Sequence, residues 1–180
     1  MVLEFLADGF EEIEALTPTD VLRRAGVDVK TVSINKTREV RGAHGITVEA
    51  DTTIDEVGGI SPEMVILPGG MPGAKNLDEC AALDAILKSA YENGAYIASI
   101  CAAPMIPGKR GMLRGKRAVC YPGFEECLDG AVLTGGRVER DGTMITGCGM
   151  GAALEFALEL CKALKGEKTA EDIRRGVLAK

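Results

Sequence analysis

Short, continuous apolar runs alternate along this chain with stretches of helical period, and that alternation constrains the fold more than any other feature. VLEFL (Val2 to Leu6), EMVILP (Glu63 to Pro68) and AYIASI (Ala95 to Ile100) are strand-length and largely apolar, and VDVKTVSI (Val27 to Ile34) is a fourth such run. A strand with one wet face alternates polar and apolar residues, so runs like these predict a sheet buried on both faces. Between them the period predicts a helix from about Phe10 to Ala25, stopped by Gly26, and another from Leu77 to Glu92. A short helix follows Cys101, and Ala152 to Leu164 and Ala170 to Leu178 close the chain as helices. REVRGAHGITVEAD, with Gly42 and Gly45, reads as a small β-hairpin. RAVCY, AVL and TMITG supply short late strands, with a turn at Asp141-Gly142. Strand and helix in alternation predict an α/β fold, its central sheet mostly parallel and covered on both sides. No linker or repeat interrupts the 180 residues, so one domain over residues 1–180 is expected.

What the chain acts on is bounded by charge and composition. The formal charge is −6 with Lys and Arg spread along the chain, so no basic stripe invites nucleic acid or an anionic membrane. Glu4 and Asp8 fall where a signal peptide would need an uninterrupted apolar core, and no apolar run reaches membrane-spanning length. A soluble, cytoplasmic protein is the expectation. Six cysteines (Cys80, Cys101, Cys120, Cys127, Cys148, Cys161) in a core-rich chain of this length do not suggest a disulfide scaffold. With no CxxC pair and one histidine, neither a metal site nor a cofactor is expected.

In parallel sheets, reacting groups gather beyond the carboxyl ends of the strands. Three stretches fall there: ADGFEEIE, LPGGMPGAKN and SICAAP. In the last, Cys101 sits where strand turns into helix, flanked by Ser99, Ala102 and Ala103, with Pro104 in the first helical turn. Such a junction resembles a nucleophile elbow with cysteine for serine. Free first-turn amides would favour the sulfur anion, and thiols so placed titrate at ~3.5–7.5. The same position also suits a buried, inert cysteine at a strand end. In the first helix, Phe10, Thr17, Val21 and Ala25 share one face, with Ile13 at its margin and Glu14 near its middle, while Glu11 and Glu12 point elsewhere. A carboxyl facing inward must be paired or protonated, and a protonated Glu14 could donate to the sulfur. The alternative is that Pro18 kinks the helix and turns Glu14 to solvent. PGGMPG lacks the ending of a phosphate loop, which argues against a nucleotide. Gly69 and Gly70 could present amides as an anion nest or oxyanion hole, or form an ordinary tight turn.

FLADGFEEIEALTPTDVLRRAG, VILPGGMPGAKNL, IASICAAP and GCGMGAALEFALELCKALKG together resemble the DJ-1/ThiJ/PfpI superfamily, in its DJ-1/ThiJ-like branch. The resemblance runs in order over almost the whole chain. It implies a flavodoxin-like three-layer α/β/α sandwich and a homodimer. Carried over motif by motif, it implies Cys101 as nucleophile and Glu14 as its hydrogen-bonding carboxylic acid. It also implies Gly70 and Ala102 as oxyanion-type amides, and Arg24 near a dimer interface beside the site. Many members of the branch have a histidine near the nucleophile, where this chain has Tyr121. His44, the only histidine, lies in the hairpin that resembles the family's interface region, roughly where relatives often have arginine. A Cys-His dyad is therefore not expected, and Ala102 in place of a histidine after Cys101 disfavours proteolysis. Pro107 implies that the helix after Cys101 is short or kinked.

The resemblance implies handling of small reactive carbonyls, a glutathione-independent glyoxalase or protein deglycase activity. Cys101 would add to the aldehyde, and Glu14 would shuttle protons. A redox-sensing or chaperone stress protein, whose Cys101 is oxidised to sulfinate, is the alternative. A thiamine-pathway role, the label often given to ThiJ relatives, has no direct support in these residues.

Overall fold

The computed structural model describes residues 1–179, so of the expected 1–180 span Lys180 lies outside the described residues. Its elements are β1 (Val2–Leu6), α1 (Glu12–Arg24), β2 (Val29–Ser33), β3 (Glu39–Arg41), β4 (Thr47–Glu49), β5 (Thr52–Thr53) and β6 (Met64–Leu67). They continue as α2 (Gly73–Asp78), α3 (Ala81–Glu92), β7 (Tyr96–Ile100), α4 (Met105–Lys109), β8 (Arg117–Ala118) and β9 (Val132–Leu133). Last come β10 (Val138–Asp141), β11 (Met144–Gly147), α5 (Ala153–Lys165) and α6 (Glu167–Gly176).

Seven strands form the central sheet in the order β10-β11-β7-β6-β1-β2-β5. Every neighbouring pair is parallel except β10 with β11. Helices cover both faces, which is why β1 and β6 are buried along their whole length. Leu3, Phe5, Val65, Leu67 and Ile97 pack with Leu77, Leu83, Leu87 and Ile106 from α2, α3 and α4. Val2, Met64, Ile66, Ala98 and Ile100 point the other way, to Leu22 of α1, Phe156 and Leu160 of α5 and Ala170 of α6. The three-layer arrangement and mostly parallel sheet agree with the sequence reading, and β3 and β4 form the small antiparallel hairpin.

Three differences have physical causes. The helix expected over Leu77 to Glu92 is two helices, because Cys80 is extended (φ −81°, ψ 105°) and starts α3 afresh. Strand β10 is an edge strand of half-buried VERD, whose lack of apolar period hid it; its register comes from β11. Glu12, expected only to point away from the Glu14 face, is buried on the α1 flank, because the β3–β4 hairpin folds back over it.

Parallel registry aligns the carboxyl ends of β1, β6 and β7, since Glu4 pairs with Ile66 and Ile66 with Ala98. The turns after these three strands therefore meet at one edge of the sheet.

Candidate active site

Strand β7 ends at Ile100, and Cys101 follows with φ +64°, a left-handed conformation that costs an L-residue about 1 kcal/mol or more. Both of its backbone groups are clamped. Its N–H donates to the Gly147 carbonyl (2.9 Å), and its carbonyl accepts from Tyr121 N (2.8 Å). Small Ala102 and Ala103 occupy the turn, and α4 is only five residues long with Pro107 inside it. The elbow is thus held open by its neighbours on β11 and the Tyr121 loop.

Opposite it, α1 presents Glu14, which is fully buried. Pro18 lies inside α1 without turning that face outward. Glu14 Oε2 accepts from Gly69 N (3.0 Å), and Oε1 has no other partner in direct hydrogen-bond geometry among the described residues. The Cys101 thiol is the group facing this carboxyl. A Cβ on Gly69 would lie 2.6 Å from both Cys101 Cβ and Glu14 Oε2, so the close approach needs glycine there. Gly69 accordingly orients Glu14, and the amides directed at the sulfur are those of Gly70 and Ala102. Of the two glycines expected to line an anion nest, only Gly70 faces the sulfur.

Burial pushes the Glu14 carboxyl up to about 7; the charge of Glu11 adds to the rise, while the Cys101 thiol and Gly69 amide oppose it. The thiol moves against the sequence expectation. Burial first, and then the charge and hydrogen bond of Glu14, push Cys101 up to about 12, outweighing the Ala102 and Gly70 amides. The amides on the sulfur come from Ala102, ahead of α4, and from Gly70, rather than from the first turn of α4 as expected, and a buried sulfur beside a carboxylate keeps its proton. Glu14, poised near neutrality, is then the base that can take that proton.

The remaining expected residues lie around this pair. Tyr121 is half exposed, touches the elbow through its backbone, and sits 3.3 Å from where a Gly149 Cβ would be. With Cys120, Cys148 and Met150 it lines an open cavity of about 620 Å³ that adjoins the elbow but does not include Cys101 in its wall. His44 is joined to buried Glu12, its ring Nδ1 2.7 Å from Oε2 and its backbone N–H donating to Oε1 (2.8 Å). Arg24 pairs with Asp20 (2.8 Å) at the exposed end of α1, and the structure does not bring it to Cys101. Sequence reasoning missed Glu12 and the role of Glu11, whose side chain caps α1 by accepting from Glu14 N (2.7 Å). Among the described residues, Glu11, Glu12 and His44 alone bring three potential ligand atoms within 4.8 Å of one another, and those atoms already engage one another and the helix. All six cysteines are free. No described helix is long and apolar enough to cross a membrane.

A strained cysteine on a strand-to-helix elbow, at the carboxyl edge of a parallel sheet and faced by a buried carboxyl, defines an α/β protein built around a thiol. The DJ-1/PfpI family model matches residues 1–163, and the chain belongs to that family. It is 38% identical over 174 residues to protein DJ-1 homolog B of Arabidopsis thaliana, covering 96% of this chain and 40% of that protein. Glutathione-independent glyoxalase DJR-1.2 of Caenorhabditis elegans is 33% identical over 179 residues, covering 94% of this chain and 91% of the relative. A deglycase of Pyrococcus abyssi is 33% identical over 167 residues, covering 91% and 99% respectively. The chain thus spans less than half of the Arabidopsis relative and nearly all of the other two. In structure it is similar to oxidized Toxoplasma gondii DJ-1, with a TM-score of 0.95, 38% identity and coverage of 98% and 97% of the two chains.

Proposed function

We propose that this protein converts small reactive carbonyls, in the manner of a glutathione-independent glyoxalase or deglycase, with Cys101 as nucleophile and Glu14 as proton carrier. The observation that carries this reading is the buried Glu14 carboxyl, poised near pH 7, set against the Cys101 thiol with the Gly70 and Ala102 amides on the sulfur. With a 2-oxoaldehyde, Glu14 takes the thiol proton as sulfur bonds the aldehyde carbon, and the carbonyl electron pair moves to oxygen. The amides are near enough to steady that oxygen until it is protonated. Moving the C1 hydrogen, as a proton, to C2 through an enediol leaves a 2-hydroxyacyl thioester. Water then releases the hydroxy acid and restores the thiol. The sum is oxoaldehyde plus water giving hydroxy acid, an internal redox change that needs no external oxidant. Relatives named as a glyoxalase and a deglycase support the class. The test is methylglyoxal turnover followed as lactate: wild type should produce it and Cys101→Ala should not. Equal rates would end the proposal.

A second reading is redox sensing, in which two hydroperoxides in turn oxidise Cys101 through sulfenic acid to sulfinate, each being reduced to its alcohol or water, and the Gly70 and Ala102 amides hold the sulfinate. Here too Glu14 has to take the thiol proton, since the thiolate is the species that oxidises. We further infer a cytoplasmic homodimer. Six free thiols suit a reducing compartment, and Ile13, Leu16 and Ile46 form an exposed apolar strip on α1 and the hairpin. Light scattering should give twice 18.9 kDa. A mass of one chain at micromolar concentration would overturn the dimer.

A further inference from the structure

We propose that Glu11 is a positioning residue for Glu14: it fixes where that carboxyl sits and sets a second negative charge beside it. This rests on the carbonyl-processing reading above.

The geometry is a closed circuit of three hydrogen bonds. Glu11 Oε2 accepts from Glu14 N (2.7 Å), Glu11 N donates to Gly69 O (2.9 Å), and Gly69 N donates to Glu14 Oε2 (3.0 Å). Helix start, glycine turn and reacting carboxyl are therefore one rigid unit. Gly70, at φ +86°, leaves no room for a side chain, since a Cβ there would lie 2.3 Å from Glu11 N. Capping alone does not explain a glutamate at this place, because Ser, Thr, Asp and Asn cap better. What glutamate adds is a carboxylate held beside a second, buried carboxyl. Like charge at that range favours the protonated form of the buried partner, and Glu11 does raise Glu14.

Other ionisable groups face this unit. The Cys101 thiol comes from the elbow, and Glu12 and His44 from the α1 flank and hairpin. His44 is raised mainly by Glu12 and only secondarily by Glu11.

The experiment records two pH profiles: methylglyoxal turnover, and the 13C shift of the Glu14 side-chain carboxyl followed by NMR. Glu11→Gln keeps an acceptor for the Glu14 amide and removes the charge. Its acid limb in turnover and the NMR midpoint of Glu14 should both move down by roughly one pH unit, with the turnover plateau kept. Glu11→Asp keeps the charge on a shorter cap, and its limb should stay in place while the plateau falls. A Glu11→Gln limb that does not move, with only the plateau lowered, would mean a structural cap and overturn the proposal. A limb that moves with His44→Gln instead would overturn it too. If methylglyoxal is not turned over at all, the reading of function fails, yet the NMR titration of Glu14 still decides the role of Glu11.

Discussion

Two glutamates are buried completely in this protein, and they sit in opposite circumstances. Glu4 lies in the middle of β1, on the sheet face beneath α1, where the Thr19 hydroxyl donates to its Oε2 and Oε1 is unpartnered among the described residues. Glu14 lies in the first turn of α1 at the carboxyl edge of the same sheet, against a thiol and a glycine amide. Burial raises both, Glu4 to about 8 and Glu14 to about 7, with Thr19 and Arg23 drawing Glu4 back only in part. The cost is of one kind, but the returns differ. In mid-sheet a neutral carboxyl makes stability depend on pH; at the edge, under the proposed function, the same displaced titration would serve as a proton carrier beside the Cys101 thiol.

The sharpest way to break this contrast is to remove each carboxyl and follow turnover. Glu14→Ala should lower methylglyoxal conversion by about 10²–10⁴-fold, the usual worth of a general acid–base group. Glu4→Gln should leave turnover within a few-fold of wild type. Comparable losses in the two variants would show that Glu14 matters for packing, as Glu4 does, and not for proton transfer.

The next effect is largest at Glu4, with Glu14 adding one of the same sign that ends at about 7. The native Glu4 carboxyl keeps a proton to about 8, whereas the unfolded chain releases it near 4.5. The unfolded state thus gains by ionising first. Stability from this group is full below 4.5 and falls as pH rises to about 8. That interval corresponds to roughly 5 kcal/mol at most. Urea midpoints should therefore drop between pH 5 and 9 in wild type and by less in Glu4→Gln, where only the smaller Glu14 contribution remains. Parallel curves would mean that Glu4 is not held neutral.

How much of this could be read in the residues follows from range. The apolar run VLEFL gave β1 its bounds, and helical period put Glu14 on an inward face, since both are local patterns. The small residues around Cys101 made its turn legible, and the φ of +64° is the matching strain. Burial of Glu12 depends on a hairpin some 30 residues away, and no periodicity within α1 signals it. The thiol failed for a related reason. Helix-end amides are visible in sequence, but the depth of the sulfur and the carboxylate facing it arise only when α1 and β7 meet.

Gly69 offers a smaller test of the same contact. Glycine is required because a Cβ would press on Cys101 and Glu14 at 2.6 Å. Gly69→Ala should cost about 1–3 kcal/mol, as overpacking does. It should also lower turnover by prising the pair apart. An alanine variant with wild-type melting and turnover would show that the turn yields freely.

The smallest effect is expected at the hairpin, where the partnership is exposed rather than buried. Hydrogen bonding from Glu12 raises His44. Burial pushes Glu12 up, but bonds from His44 and from backbone amides outweigh it and hold the carboxyl below its ordinary range. The His44 contribution is present at pH values below the ordinary histidine range and is lost as pH rises through its raised value. The Glu12 contribution is present above the ordinary carboxylate range and fades as pH falls through its lowered value. Docking of the hairpin on α1 is therefore tightest between the two. His44 is 70% exposed, and its backbone N–H stays on Glu12 whatever its side chain. His44→Ala should accordingly leave global unfolding almost unchanged. Near pH 6 it should speed hydrogen exchange at the hairpin amides, such as Gly42, and at high pH the difference should vanish because the wild-type ring is neutral there. Equal exchange at both pH values would show that the backbone bond to Glu12, and not the imidazole, keeps the hairpin closed over α1.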